Sequence, residues 1–211
     1  MSQTLAIEKV ALYELEQWFN LTLESDPTFF SEWQHNLPEL TVMEYERLAR
    51  VEAAYANLER RSLLENTVKL AILSPLLDLA GFFLPPFFIE TEMSVEIMAE
   101  EKDLQLRGRI DVLVLMEKLW LLVIESKRAA FSLKVVIPQA LSYMLVSPPK
   151  TQPVFGLVTN GSSFVFLKLV QSNTPLPSAR YAKSKEFILG QDEGLALTLR
   201  IMKQLAMVMQ E

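Results

Sequence analysis

The chain has 211 residues, and its apolar fraction of 50% is enough to bury the core of one domain. Its formal net charge of −6 argues against a protein that binds nucleic acid with its whole surface. With no cysteine and one histidine, the sequence excludes disulfides and thiolate metal sites, and it excludes most histidine-based catalysis and zinc chemistry.

Targeting signals do not stand out in the sequence. No run of 18 apolar residues occurs, and the first ten residues lack the basic-then-apolar form of a signal peptide. We therefore expect a cytoplasmic protein with no membrane partner.

Residues 1–60 are predicted to form a helical extension to a core of residues 61–211. Apolar side chains over Leu5–Leu21 recur at the spacing of one helical stripe, which predicts a first helix. Thr41 and Glu44 have the spacing of a capping box and predict the start of a second, long helix.

Glu65 has two interpretations. Ser62 and Glu65 have the same capping-box spacing, so the long helix is expected to break near Arg61 and to restart, and Gly81 is expected to close the last helical piece. Spacing alone favours a Glu65 side chain that bonds the Ser62 amide. Alternatively, Glu65 supplies a carboxylate to a metal from a helix packed beside the strands.

Three strands are predicted next: one half-buried strand, followed by two strands buried on both faces. Acidic and apolar residues first alternate over Ile89–Met98, which predicts a half-buried strand near a sheet edge. Gly108–Lys127 then contains two apolar runs that meet at Glu117–Lys118. Because neither run alternates with polar residues, we expect an α/β fold with its sheet between helices.

A crossover helix and a hairpin are predicted next. The helix is expected over Ala129–Val146, where Gln139 and Tyr143 are four residues apart and share one face. These two side chains either line a site or bond to the sheet edge. The Asn160-Gly161 pair between two apolar runs predicts a tight hairpin turn.

The C-terminal region is predicted to be a surface connection over residues 171–191 and a helix, Glu193–Met209, capped by Asp192. The broad apolar stripe of this helix must be buried. It packs either against the N-terminal helices or against a second copy of the chain, in a homodimer.

Three charges stand at the ends of the buried strand pair: Asp111, Glu125 and Lys127. If the hairpin pairs residues whose numbers sum to about 236, Asp111 lies directly beside Glu125 on the neighbouring strand. Side chains alternate along a strand, so Lys127 projects to the same face as Glu125. Adjacent carboxylates need a cation or a proton between them, and oxygen donors suit Mg²⁺ or Mn²⁺. This pattern predicts metal-assisted attack on a phosphodiester. It is also compatible with solvated strand ends and an ordinary surface ion pair.

Positive charge is concentrated near these residues. Residues 101–150 carry 8 basic and 5 acidic side chains, an excess of 3 positive charges. This excess points to a polyanionic ligand such as DNA, although a solvated face explains it as well.

The order of motifs resembles the PD-(D/E)XK nuclease superfamily. In this chain the order is a helix with Glu65, an acidic strand, G-R-I-D, L-V-I-E-S-K-R, a helix with Q-x-x-x-Y and a strand ending in T-N-G. The segment E-N-T-V-K-L-A-I-L-S-P-L-L-D-L-A-G-F is similar to the start of the nuclease domain at the N-terminus of type I restriction enzyme R subunits. The resemblance covers residues 62–170, and Ile110 stands where the superfamily is named for proline.

This resemblance implies a restriction-endonuclease-like sheet and DNA cleavage that depends on Mg²⁺ or Mn²⁺. Asp111, Glu125 and Glu65 would be metal ligands, which reverses the capping preference for Glu65. Lys127 would orient the attacking water or stabilise developing charge, and Gln139 would belong to the catalytic set. The side chains expected to contact DNA are Arg109, Arg128, Lys134 and Tyr143.

No G-x-x-x-x-G-K-[ST] phosphate loop is present, so this chain cannot by itself couple cleavage to ATP-driven translocation. Three functions remain: a free-standing endonuclease, a subunit that needs restriction-system partners, and a catalytically silent nuclease-fold module that binds DNA or protein. The three retained charges favour an active nuclease, and the acidic bulk favours a silent module or an auxiliary subunit.

Overall fold

The computed structural model describes residues 3–61, 63–99, 104–116, 119–126, 132–148, 152–172 and 178–210. In these ranges a mixed sheet of nine strands is flanked by helices, which confirms the predicted α/β class. The strands are β1 (Gln3–Ala6), β2 (Leu21–Leu23), β3 (Phe87–Ala99), β4 (Leu104–Met116), β5 (Leu119–Ser126), β6 (Val154–Thr159), β7 (Ser163–Ser172), β8 (Ser178–Lys183) and β9 (Phe187–Ile188). The α-helices are α1 (Leu12–Trp18), α2 (Val42–Leu58), α3 (Glu65–Val68), α4 (Ser74–Leu79), α5 (Leu133–Leu145) and α6 (Gly194–Val208).

The sheet combines antiparallel pairs with parallel ones. The β3–β4, β4–β5, β6–β7, β7–β8 and β7–β9 pairs are antiparallel. The β1–β4, β5–β6 and β2–β8 pairs are parallel. A parallel pair of consecutive strands needs a crossover connection, and α5 provides it between β5 and β6.

One edge of β4 is shared by two strands. Because β3 faces β4 along its whole length, β1 and β5 must lie along the opposite edge. There β1 faces residues 104–107 and β5 faces residues 112–116. Among the described pairings, residues 108–111 have no strand partner on this edge. A gap in the sheet therefore opens at the G-R-I-D motif.

The hairpin of β4 and β5 has the predicted register. Val112 faces Ile124 and Leu113 faces Val123, so the facing residue numbers sum to 236 until a bulge after Val114. Val112 and Val114 belong to the core beneath α2, α4 and α6, and Leu113 belongs to the core beneath α1 and α5. Burying an aliphatic side chain of this size contributes about 2 kcal/mol, so packing on both faces stabilises the pair.

The helix predicted over Leu5–Leu21 is wrong at both ends. The chain forms β1, a 3₁₀ turn at Ile7–Lys9, the short α1 and then β2. Pairing with β4 and β8 satisfies the backbone at both ends, which outweighs the helical spacing. Residues 1–60 thus contribute two strands to the sheet, in addition to α1 and α2.

The helices before β3 follow most of the predicted signals. The Glu44 amide donates to Thr41 Oγ1 at 3.2 Å and the Thr41 amide donates to Glu44 Oε2 at 2.6 Å, so the capping box is confirmed. After α2 ends, α3 continues through a π-helical segment, Lys69–Leu73, into α4. Pro75, which lacks an N–H, is accommodated after this wider turn. Gly81 ends the run at φ +84°.

The predicted crossover helix is confirmed as α5. The predicted tight turn is also confirmed: Gly161 has φ +88°, and the Asn160 side chain accepts a hydrogen bond from the Ser163 amide at 2.9 Å. The surface connection predicted for residues 171–191 is wrong, because it contains β8 and β9. The short alternation in β8, with Ala179 buried and Arg180 exposed, was too brief to predict a strand.

The final helix begins later than predicted. Glu193, in the left-handed region at φ 55°, is the N-cap residue of α6, so the cap predicted at Asp192 is wrong. Gly194 has no room for a side chain, because a Cβ there would lie 2.2 Å from the Ile188 carbonyl oxygen. The apolar stripe of α6 is buried in the core shared with α2 and α4, one of the two predicted alternatives. None of the helices in the described part of the chain is long and apolar enough to cross a membrane.

Candidate active site

A cavity of about 740 Å³ opens at the gap in the β4 edge. Its lining includes Arg109, Gln139 and five carboxylates from separate parts of the chain, Glu8, Glu65, Glu92, Asp111 and Glu125. Five predicted site residues therefore meet in one cavity: Glu65, Arg109, Asp111, Glu125 and Gln139.

Asp111 and Glu125 lie next to the last facing pair of the β4–β5 hairpin, as the register predicts. Their relative exposures are only 7% and 1%, yet both line the cavity. The Ser126 amide donates to Asp111 Oδ2 at 2.8 Å and the Ser126 hydroxyl donates to the same oxygen at 3.1 Å. The predicted convergence of the two carboxylates on one cavity is confirmed, and their chemical roles stay predictions.

A hydrogen-bonded chain leads from Glu125 into the gap. Gln139 Nε2 donates to Glu125 Oε1 at 2.7 Å and to the Tyr143 hydroxyl at 3.0 Å. The Tyr143 hydroxyl also accepts from the Arg109 amide at 3.1 Å, in place of a neighbouring strand. Burial, followed by the nearby Glu125 charge, raises the pKa of Tyr143, so the hydroxyl stays protonated. Of the two alternatives for this helix face, Gln139 lines the site and Tyr143 bonds to the sheet edge.

Gly108, the first residue of G-R-I-D, leaves the space that the Tyr143 side chain needs to form these hydrogen bonds. A Cβ at Gly108 would lie 2.7 Å from the Tyr143 hydroxyl oxygen, 2.8 Å from Tyr143 Cε1 and 3.0 Å from Ile7 Cδ1. Real side chains do not approach so closely. Glycine is therefore required because Tyr143 fills the gap.

Tyr143 does not contact solvent, since its relative exposure is 0%. A residue this deeply buried cannot contact DNA, so the predicted DNA-binding role of Tyr143 is wrong. Its hydroxyl instead holds Gln139 and the β4 backbone together.

Lys69 is a site residue that the sequence analysis missed. Its ammonium donates to Asp111 Oδ1 at 2.6 Å and lies 3.3 Å from both Glu65 Oε1 and Glu92 Oε1, with 16% of the side chain exposed. Burial by itself lowers the pKa of Lys69, but the hydrogen bond that its ammonium donates to Asp111 and the charges of Asp111 and Glu65 outweigh it, so the pKa is raised. The four-residue spacing of Glu65 and Lys69 was a signal for an ion pair on one helix face.

Glu65 is not the third residue of a helix. It is the first residue of α3, which has Leu64 as its N-cap residue, while Ser62 lies outside the described residues. The bond predicted between the Ser62 amide and the Glu65 side chain falls on a residue outside the described ones and stays a prediction. Its carboxylate lines the cavity and pairs with Lys69.

Glu92 and Arg109 form the rim of the cavity. Glu92 Oε2 lies 2.7 Å from Arg109 Nε, and Glu92 Oε1 faces Lys69 at 3.3 Å. The Glu92 backbone has φ 58°, an unfavourable conformation for a residue with a side chain, in the middle of β3. Glu92, on the acidic side of β3, thus contributes a charge that bridges two cations.

The remaining predicted cations differ in their status. Lys127 and Arg128 lie outside the described residues, so their roles stay predictions. Lys134 is exposed near the start of α5 and does not line the cavity. Glu8, which the sequence analysis did not single out, lines the cavity from the N-terminal 3₁₀ turn.

The donor chemistry of the cavity suits a hard divalent cation. Asp111, Glu125 and Glu65 offer carboxylate oxygens, the ligands that Mg²⁺ and Mn²⁺ prefer. In the described part of the chain, however, no three histidine or acidic side chains are already grouped closely enough to hold a metal. The Lys69 ammonium, 2.6 Å from Asp111 Oδ1, would compete with a divalent cation for that oxygen.

Comparison of the sequence with models of known protein families and with curated proteins finds no match.

Proposed function

We propose that this protein is a DNA endonuclease that depends on a divalent cation and has a restriction-endonuclease-like fold. The observation that carries the proposal is the meeting of Asp111 and Glu125, from adjacent buried strands, in one cavity with Glu65 and Gln139. The element order supports it: a helix with a carboxylate, an acidic strand, the β4–β5 hairpin, the crossover α5 and the parallel strand β6.

In this proposal Asp111, Glu125 and Glu65 hold Mg²⁺ or Mn²⁺. The bound cation would activate a water and stabilise charge on the phosphate, which is the usual contribution of such ions to phosphodiester hydrolysis. Gln139 fixes the orientation of Glu125 through its 2.7 Å hydrogen bond. Lys127 is proposed to position the water or to stabilise developing charge.

The charge of the cavity supports a requirement for the cation. Five carboxylates line the cavity, and the described cations near them are Arg109 at the rim and Lys69. A phosphodiester would be repelled by this excess of negative charge without added positive charge. Arg109, Arg128 and Lys134 are proposed to bind the DNA backbone around the cavity.

The proposal is tested by incubating supercoiled plasmid with the protein and Mg²⁺ or Mn²⁺. We expect nicking by the wild type and a loss of about 10³-fold in Asp111→Asn and Glu125→Gln, since stabilisation by a bound cation is worth several kcal/mol. Asp78→Asn is the matched control, because Asp78 is exposed on α4 and does not line the cavity. Equal nicking by wild type and Asp111→Asn would overturn the proposal.

The second candidate function is a catalytically silent nuclease-fold module that binds DNA or protein. The observation that favours it is the ion pair of Lys69 with Asp111, which neutralises a required carboxylate from within the chain. Binding of Mn²⁺ or DNA by the wild type without any nicking would support this second function over the first.

A further inference from the structure

We propose that Lys69 is an internal counter-ion of the site. Its ammonium holds Asp111 in the absence of a divalent cation and shifts toward Glu92 when Asp111 binds one. This inference rests on the proposed function, because it concerns the cation that the function requires.

The geometry around Lys69 is unsymmetrical. The ammonium makes its shortest contact, 2.6 Å, with Asp111 Oδ1, and it lies 3.3 Å from carboxylate oxygens of both Glu65 and Glu92. With 16% of its side chain exposed, Lys69 would lose favourable interactions by moving into solvent. A short shift within the cluster keeps the ammonium paired.

Glu92 is suited to receive the ammonium. One of its oxygens already faces Lys69 and the other binds Arg109 at 2.7 Å, while 46% of its side chain is exposed at the rim. The strained Glu92 backbone, at φ 58°, belongs to the residue that faces both cations. Once Lys69 has shifted, Glu92 neutralises it at a distance from Asp111.

Two opposite effects on cation affinity follow. Lys69 competes with the divalent cation for Asp111, so removing the lysine charge strengthens binding. Glu92 draws Lys69 away from Asp111, so removing the Glu92 charge weakens binding. The second effect acts only through Lys69, so it disappears when the lysine is absent.

Calorimetric titration with Mn²⁺, without DNA, tests these effects on the full chain. We expect Lys69→Met to bind Mn²⁺ about tenfold more tightly than wild type and Glu92→Gln to bind it several-fold less tightly, in the range of charge effects at contact distance. Glu96→Gln is the matched control, because Glu96 is on the same strand with similar exposure and pairs with Arg107 instead. Its affinity is expected to equal that of the wild type.

The double variant Lys69→Met with Glu92→Gln separates the proposal from direct binding by Glu92. We expect its affinity to equal that of Lys69→Met alone, since two residues that act through one contact are not additive. A Glu92→Gln effect that persists in the Lys69→Met background would overturn the proposal. Unchanged or weaker binding by Lys69→Met would also overturn it, and a merely structural lesion would not tighten binding.

Three further outcomes are distinct. If Lys69→Met does not fold, equal affinities of Glu92→Gln and Glu96→Gln overturn the inference by themselves. If neither the wild type nor any variant binds Mn²⁺, the proposed function fails and this inference fails with it. If Mn²⁺ binds equally well in every variant, only the inference about Lys69 fails.

Discussion

Two regions of the molecule bury a lysine against a carboxylate, and they differ in charge balance. Lys69 lies beside three carboxylates at an open cavity. Lys168, on β7, lies 2.5 Å from Glu32, with 13% and 15% of the two side chains exposed. The Lys168 ammonium also lies 5.4 Å from the Phe29 ring centroid and 5.9 Å from that of Phe155.

The difference separates a structural ion pair from the one for which we propose a function. At Lys168, one positive charge meets one negative charge among aromatic rings, which joins the N-terminal loop to the sheet. At Lys69, one positive charge meets three negative charges, so the region has capacity for another cation. Two tyrosine hydroxyls are also buried: Tyr143 lies near the cavity, and Tyr181 on β8, which donates to Glu16 at 3.0 Å, packs in the core beneath α1 and α5 and not in the core that contains Phe155.

The largest effect on stability is expected at the structural pair. Lys168→Met should lower the free energy of unfolding by about 3 kcal/mol, because it leaves the buried Glu32 carboxylate without its cation. Urea denaturation measures the loss, with the exposed Lys183→Met on β8 as the control that should change little. If Lys168→Met lost less free energy of unfolding than Lys69→Met, the distinction between the two ion pairs would be contradicted.

Gly108→Ala is expected to cost about 2 kcal/mol, because the added methyl group overlaps the buried Tyr143 ring. Gly190→Ala is a useful contrast: nothing lies within 4 Å of its added Cβ, so its expected cost of about 1 kcal/mol comes from the positive φ of 77°. Thermal unfolding compares the two. Unchanged stability in Gly108→Ala would show that Tyr143 does not need the glycine.

Lys69→Met is expected to lower stability by only about 1 kcal/mol, since Asp111 keeps its two hydrogen bonds from Ser126 and the other two carboxylates, Glu65 and Glu92, have 35% and 46% of their side chains exposed. Added Mn²⁺ should stabilise this variant more than the wild type, because no ammonium competes for Asp111. Thermal unfolding with and without Mn²⁺ measures both effects. If Mn²⁺ stabilised Lys168→Met to the same extent, the distinction between the two regions would be lost.

The effect of Tyr181 on stability is expected only at alkaline pH and is absent near neutrality. Burial, then its hydrogen bond to Glu16, then the Glu16 charge raise the pKa of Tyr181. Because the folded protein keeps this proton at pH values where the unfolded chain loses it, the stabilisation is complete below about pH 10, the pKa of an unperturbed tyrosine, and falls above it.

Wild type should therefore lose more stability than Tyr181→Phe between pH 9 and pH 11, by up to about 1.4 kcal/mol per pH unit. Urea denaturation at several pH values measures the difference. Parallel pH profiles for wild type and Tyr181→Phe would contradict the expected shift.

Local signals predicted much of this fold. The β4–β5 register, the Thr41 capping box and the Asn160-Gly161 turn depend on neighbours in sequence, and all three are confirmed. The cavity carboxylates Asp111 and Glu125 could be placed together because the register alone brings them together.

What the sequence did not reveal depends on distant contacts. Lys69 meets Asp111 across 42 positions, and no local pattern joins them. The strands β1 and β2 are three or four residues long and exist because β4 and β8 offer them backbone partners. Apolar spacing alone therefore predicted a helix over Leu5–Leu21, where pairing with β4 and β8 instead forms a short strand at each end.

The shared edge of β4 has a consequence for biosynthesis. Strand β1 pairs with residues 104–107, so the first strand cannot reach its place until about a hundred further residues have left the ribosome. Glu8 follows directly after β1, and this wall of the cavity is therefore completed only after the β3–β4 segment has emerged. Until then the cavity lacks one of its carboxylate walls.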